Sequence, residues 1–549
     1  MRFEQQISAF LRPAAVLALG ACLSASGRVV FASEQGPPQA PVTQSSATQS
    51  AATMASQAVP SGPEVQVSVD ESVRMALENN LGIQAARLSP QAQAFALAQT
   101  RANYAPTLFV NTNRNSSSTP ADTSLSGSNL LTNSGFRSNA GVAQYLKWGG
   151  GNYQVSLDGA RTTTTNRNAA FNPNLSSNFN FNYTQPLLRN FGMDITRQQL
   201  ALGQKQSDIV DVQLQQQIAQ TVRTVRNAYY DLVGAIGQLE VARASLQLAQ
   251  QQLRDNQTKV EVGTMAPIDI IEAQAEVSQR EEAVIVNEAQ IKTLEDALRT
   301  LVMNPAQPDF WTVRIVPTEQ PTLTAQPIDV DGAIKSALAN RTDLIQARKQ
   351  MEQTDININY AKNQRLPTVN AIVNYGLAGV AGTQRSFTYD PVTGLPTGET
   401  TTVERGFSDA LRNIFGNDYK AWSVQFQVNY PIGTSAADAG LAQGRVQRQQ
   451  EVASLQQLEV QVVASVRDAA RQVDTSLKRV EATKRAREFA ERRYEAEQKR
   501  MTVGLSTTFQ LFQAQRDLST QKQAEVNAII AYNRALVAFE AVQTVPAGR

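Results

Sequence analysis

Imidazole general-base work needs a histidine, and thiolate chemistry or soft metal ligation needs a cysteine that survives processing. This chain has no histidine at all, and its single cysteine is Cys22. Neither proton transfer through imidazole, nor a thiolate nucleophile, nor a His/Cys metal site can be assembled from the mature chain. Cys22 ends the run Leu19-Gly20-Ala21-Cys22, which has the form of a lipobox, in which the cysteine is diacylated and becomes the new N-terminus. It closes a short apolar stretch, Pro13 to Leu23, preceded by Arg2 and Arg12, the layout of an export signal. A competing signal-peptidase site at Val30-Phe31-Ala32 would discard the cysteine with the signal. Lipidation would tether the chain to a membrane; under either processing no intramolecular disulfide is available. Gly149–Gly151 lacks the Lys/Ser completion of a phosphate loop. Carboxylates such as Glu281-Glu282, and Asp255 beside Arg254, are most simply solvated helix faces. No enzymatic activity and no cofactor is expected. The formal net charge is +2 with no concentrated basic block, so nucleic acid is not an expected partner. What remains is interfacial chemistry: Trp422, Tyr183 and Tyr430 fall at the ends of predicted strands, suited to a lipid boundary or to ordinary packing.

The elements that would position these residues are written twice. Residues 67–113 align with 328–374 at a constant offset and without a gap, with identities such as Asp70/Asp331, Ala76/Ala337, Leu77/Leu338, Asn79/Asn340, Arg87/Arg348 and Pro106/Pro367. In both halves a Pro-ended strand (Pro186, Pro431), a long helical stretch and a Val-Gly break (Val262-Gly263, Val503-Gly504) then follow in the same order. Neither copy of such a repeat need be self-sufficient. Three strands alternate cleanly. Phe179, Phe181 and Tyr183 oppose Asn180, Asn182 and Thr184; Val424, Phe426 and Val428 oppose Gln425, Gln427 and Asn429; Val369, Ala371 and Val373 oppose Asn370, Ile372 and Asn374. One apolar and one amide-rich face suits a barrel wall between lipid and water, or a sandwich with one wet face. A further hairpin, Val142–Lys147 with Tyr153–Ala160, is expected to turn at Gly149–Gly151. No stretch beyond the signal is apolar for the roughly 20 residues a spanning helix needs.

The helical stretches carry heptads. Val225, Ala228, Leu232, Ala235, Leu239, Ala242, Leu246, Ala249 and Leu253 recur at spacings of three and four. A second seam runs through Ile270, Ala273, Val277, Val284, Ile291, Leu294 and Leu298, with Arg280 and Asn287 at intervening seam positions. The stretch 187–261 would be ~110 Å long at 1.5 Å per residue. Two shorter stretches, 71–104 and 267–302, together match it, and 432–500 is matched in the same way by 332–365 and 508–541. Two stacked short helices beside one long helix make a layer with strands at one end, and the natural product is a tube.

The ordered, duplicated set resembles the outer-membrane factor family, the TolC-like efflux channels, over about residues 67–541. It comprises Asp70-x5-Ala76-Leu77-x-Asn79-Asn80, then Tyr183-Thr184-Gln185-Pro186-Leu187-Leu188-Arg189, then Ala228-Tyr229-Tyr230-Asp231-Leu232, and the two Val-Gly sites with Ala273-Gln274 and Ala514-Gln515 beyond them. The resemblance implies an all-α coiled-coil tunnel plus a transmembrane β-barrel, built from two internal repeats and completed by trimerisation with four strands from each protomer. It divides the chain into a signal segment 1–32 (or a lipoprotein signal ending before Cys22) and a disordered linker 33–66. Repeat 1 holds a helix 67–105, barrel strands with an extracellular loop 106–186 and periplasmic helices 187–303. An equatorial linker 304–327 leads to repeat 2, with a helix 328–366, strands and loop 367–431 and periplasmic helices 432–541, followed by a tail 542–549. The implied partners are a homotrimer, outer-membrane lipid, a periplasmic adaptor protein and an inner-membrane pump. Gly263 and Gly504 would form tip turns where the adaptor docks. Asp269 and Glu272 in repeat 1, and Gln510 and Gln513 in repeat 2, match the positions of a charged constriction, though the glutamines argue against strong cation selectivity. The hairpin at 140–161 departs from the four-strand pattern, as a cap on the extracellular mouth or a loop extension. The rival reading from another class is a non-conducting periplasmic coiled-coil scaffold or adhesin stalk.

Overall fold

A computed structural model describes residues 63–121, 129–321, 327–393, 396–433 and 435–543. The signal segment, Cys22 and the tail from residue 544 lie outside the described residues. In chain order, repeat 1 contains β1 (Glu64–Val67), α1 (Val69–Asn79), α2 (Leu81–Ala102), β2 (Thr107–Pro120), β3 (Leu130–Tyr145), β4 (Asn152–Thr164), β5 (Phe171–Pro186), α3 (Ile195–Glu261), α4 (Ile268–Val302) and β6 (Arg314–Pro317). Repeat 2 contains α5 (Val330–Asn340), α6 (Thr342–Gln364), β7 (Thr368–Tyr389), β8 (Pro396–Arg405), α7 (Phe407–Phe415), β9 (Tyr419–Asn429), α8 (Ala436–Thr502) and α9 (Thr508–Gln543).

Several expected boundaries move. The single helix expected over 71–104 is two. Asn80 ends α1 in extended backbone and its Oδ1 accepts from the Gly82 and Ile83 amides at 3.0 and 3.2 Å, capping α2. Its Nδ2, like that of Asn79, donates to the last carbonyls of α4, Leu301 and Val302. Pro90 stays inside α2 without ending it. In repeat 2 the same break falls between Asn340 and Thr342. The linker assigned to 33–66 is ordered at its end, where β1 pairs in parallel with β6 from the equatorial segment. Arg299 fastens this small sheet to α4: it donates to the Val313 carbonyl at 2.6 Å while Glu295 accepts from the Ile315 amide. The helices α7 and the strand β8 were not expected at all.

The large sheet is antiparallel throughout, in the order β2-β3-β4-β5-β7, with β9 and β8 sharing the far edge of β7. β9 pairs with Thr368–Ala378 and β8 with the stretch beyond Gly382. The registers put Val110, Ala140, Leu157, Phe179, Leu377 and Lys420 in one row. The row below holds Leu108, Val142, Val155, Phe181, Tyr375 and Trp422. That face is apolar over its lower half. The opposite face is amide-rich and cross-bonded. Asn139 and Asn180 both donate to Asp158, the latter at 2.7 Å, while Asn182 bonds Asn374, whose Nδ2 reaches Ser423 Oγ at 3.1 Å. Trp422 and Tyr183 each lie fourth from an end of their strands, β9 and β5, while Tyr430 directly follows β9.

Beneath the sheet α2 packs on α3, α3 on α6 and α6 on α8; farther along, α4 packs on α3, α3 on α9 and α9 on α8. The α3 heptad supplies the buried seam, with Val225, Leu232, Ala235, Ala242 and Ala249 all almost fully covered. Alternating small residues bring backbones close. A Cβ on Gly234 would meet Ile530 Cγ1 at 2.9 Å, so any larger residue here would force the Ile530 side chain of α9 to shift. No helix among the described residues is long and apolar enough to cross a membrane.

Candidate functional site

The candidate site is the pair of helix–turn–helix tips together with the free edges of sheet and helical layer. Each tip closes in the same way. Gly263 sits at φ +76° and Gly504 at φ +75°, in the left-handed region that glycine enters without strain. Their amides donate to Val260 and Met501, and the following amides, Thr264 and Leu505, reach back to Lys259 and Arg500 at 2.8 and 2.9 Å. Nothing approaches the position of a Cβ at either glycine, so conformation and not crowding selects the residue. Val262, Val503, Leu505 and Phe509 leave apolar side chains exposed around these turns.

The four candidate constriction residues do not share one environment. Asp269, at the start of α4, accepts from Thr508 Oγ1 at 2.5 Å, tying the first tip to the first turn of α9. Asn256 also donates to the Asp269 carbonyl. Glu272 is exposed. Gln510 folds back on its own turn, accepting from Ser506 Oγ at 3.0 Å, and Gln513 donates to Asp517 at 3.0 Å. The turns of the two repeats thus lie side by side, but only Asp269 is drawn into the contact between them.

A stronger link lies about two helical turns deeper and was not anticipated. Glu276 is almost fully buried, yet it is ionically paired on both oxygens. Arg280 donates twice to Oε1, at 2.8 and 2.6 Å, and Arg516 of α9 donates twice to Oε2, at 3.0 and 2.8 Å. Beside it Gln515 is buried against the Ser245 carbonyl, and Ser245 and Ser519 share a hydroxyl bond of 3.0 Å. The only sequence signal was the Glu276/Arg280 spacing of one helical turn, which is also the spacing of countless solvated pairs. The Arg516 partner is 240 residues away and leaves no local trace.

The edges are the other half of the site. β2 and β9 each have one side without a strand partner among the described residues. α2 lies at the same end of the layer order as β2, and α8 at the same end as β9. On α2, Leu81, Leu88 and Phe95 recur every seven residues and are all exposed, Phe95 at 75%. On α8, Val446 and Val460 stand two heptads apart, also exposed. These are coiled-coil stripes with no partner inside the protomer.

Comparison with known proteins accords with this geometry. The family model described as outer membrane efflux protein matches residues 153–302 and 333–542. The outer membrane protein TolC of Salmonella enteritidis is 23% identical over 61% of this chain and 62% of its own. The matched stretch therefore spans less than two thirds of that curated relative. Among solved structures, a membrane protein from Pseudomonas aeruginosa superposes with a TM-score of 0.60 at 16% identity, covering 87% of this chain and 93% of that one. The outer membrane protein VceC of Vibrio cholerae gives 0.60 at 15%, covering 86% and 95%. At such identity these structures speak for the fold, a helical tunnel element with a β domain. With the family model covering more than half of its length, the chain belongs to the outer membrane efflux protein family and is an outer-membrane protein.

Proposed function

We propose that the protein is a passive exit duct: three copies close edge to edge into a barrel in the outer membrane and a continuous periplasmic tunnel. A periplasmic adaptor and an inner-membrane pump would supply docking and energy, the duct only the conduit. One observation carries this reading. The sheet and the helical layer end on the same two sides, each with an unsatisfied strand edge and an unpartnered apolar heptad. Lipid-span strands with open edges are viable only when closed by further strands. The stripe on α2 and the stripe on α8 are the complementary halves of such a seam.

The tips form the gate in this reading, with Gly263 and Gly504 as rigid turns and their exposed apolar neighbours as the adaptor's landing. The Asp269–Thr508 bond and the Glu276–Arg516 pair are closed-state latches between the hairpins of the two repeats. Opening separates α4 from α9 and breaks both. Of the four constriction positions the acidic ones come from repeat 1 alone, since Gln510 and Gln513 are neutral, so cation selectivity at this ring is expected to be weak. Purified assembly in planar bilayers tests the proposal. The parent should show low conductance, and Arg516→Ala with Thr508→Ala should raise it severalfold. A well-folded trimer silent in both forms would exclude a duct.

A further inference from the structure

Each protomer contributes a sheet six strands wide, not four. The hairpin β3–β4 stands inside the sheet, between β2 and β5, with thirteen to sixteen residues in each of its strands. That is longer than the roughly 9–11 residues a tilted spanning strand needs. We infer that this hairpin is part of the membrane wall, so that three copies close an eighteen-stranded barrel in place of a twelve-stranded one. The inference rests on the proposed trimeric duct and adds a count that the duct alone does not require.

Four observations place the hairpin in the wall and not at its mouth. First, its pairing is continuous: β3 runs along β2 from Leu130 to Ala143, and β4 along β5 from Asn152 to Thr162. Second, its faces continue those of its neighbours, with Val142, Ala140, Val155 and Leu157 in the apolar rows and Asn139 and Asp158 in the amide network. Third, its turn reaches the helix-facing end of the sheet. Gly149 and Gly150 are at φ +66°, and Gln185 donates to the Gly149 carbonyl at 2.8 Å. A Cβ on Gly150 would meet the Asn190 carbonyl at 2.5 Å, just ahead of α3. Trp148 in this turn is 73% exposed and meets Phe191 edge-on, an aromatic pair at the level where a lower girdle belongs. Fourth, α7 of repeat 2 lies across the upper part of the apolar face: Phe407 fills the space over Gly159 of β4, and Ala410 covers Gly379 of β7. The hairpin is thus clasped at both ends.

The addition keeps the wall closable. Two strands preserve the alternation of direction, so β9 of one copy still meets β2 of the next antiparallel. Diameter grows nearly in proportion to strand number, so the wall would be about one and a half times as wide as a twelve-stranded one of equal tilt. Size selection then falls to the tips.

Single cysteines read by a membrane-impermeant maleimide test this in the full-length assembly in lipid vesicles. Val142→Cys, Val155→Cys and Leu157→Cys should be protected, as should Phe181→Cys, Val424→Cys and Phe426→Cys on β5 and β9, whereas Gln154→Cys should label. Labelling of the three hairpin positions with the other three protected would overturn the six-strand wall and leave the duct standing. Labelling of all six would remove the barrel itself. Retention of the parent's gel mobility shows that each variant is folded, and a solubilised mass other than three protomers would overturn the count of eighteen.

Discussion

Glu276 shows how much one side chain can hold. A carboxylate this deeply covered is stable only while its cations remain, and removing one member of a buried pair costs about 3–5 kcal/mol. Glu276→Ala should therefore lower the thermal midpoint of the assembly far more than Glu272→Ala, whose carboxylate is exposed. Equal midpoints would mean that the buried pairing contributes nothing. At the tips the cost is conformational: Gly263→Val or Gly504→Val should lose roughly 1–2 kcal/mol from the left-handed backbone alone, and Asn at either position much less. Unfolding midpoints of the four variants check the order. Farther up, the Lys205 hydrogen bond, then its charge, holds the Glu352 carboxyl below its ordinary value, and the same bond raises Lys205. A depressed carboxylate stabilises the fold above its unfolded pKa, and that contribution is lost as pH falls through the folded one. Glu352→Gln should thus melt slightly lower than the parent at neutral pH and converge with it in acid. The effect is small, because both groups are partly exposed and water screens the pair.

Among the elements, those with a periodic pattern were legible in the sequence. The α3 heptad named the buried seam, and the alternation of β5, β7 and β9 named their two faces. Less legible was whatever depends on partners distant in the chain. Asn79-Asn80 read as a motif without a mechanism, and only the tertiary bonds to α4 show why both amides are there. The break between α1 and α2 was invisible because Asn80 and Gly82 sit in an otherwise helical pattern. The β3–β4 hairpin was seen, but its place was not, since Ser- and Gly-rich strands such as β3 give weak alternation. α7 escaped because nine residues make only about two and a half turns, too few to show a period. An element-scale test follows from the α2 stripe. Leu88→Glu with Phe95→Glu should leave helix content intact and abolish assembly, giving monomer on a sizing column. Glu at Ser89 and Ala96, which are exposed about a quarter-turn off the stripe, should leave the assembly whole.

For the whole molecule, the α3 helix is the shared member. It packs on α2 and α4 of its own repeat and on α6 and α9 of the other, so neither repeat closes without it. The Tyr183–Arg189 segment makes the same join where sheet meets helices: Leu187 donates to Val369, and Arg189 to Gln364 at 2.6 Å. Repeats knitted in this way should unfold together. A single transition in thermal unfolding of the assembly is expected, with loss of trimer and loss of helix coinciding; two separated transitions would mean that the repeats are independent.

The amide network across the sheet has one more implication. Asparagine and serine dipoles keep the same charge at any pH a cell meets, and the chain has no imidazole to titrate in the mildly acidic range. In the proposed duct such a lining would offer permeant ions a surface with few ionisable groups, Asp158 among them, so acidifying the surroundings from neutral by a unit or two should change their flow through the wall little.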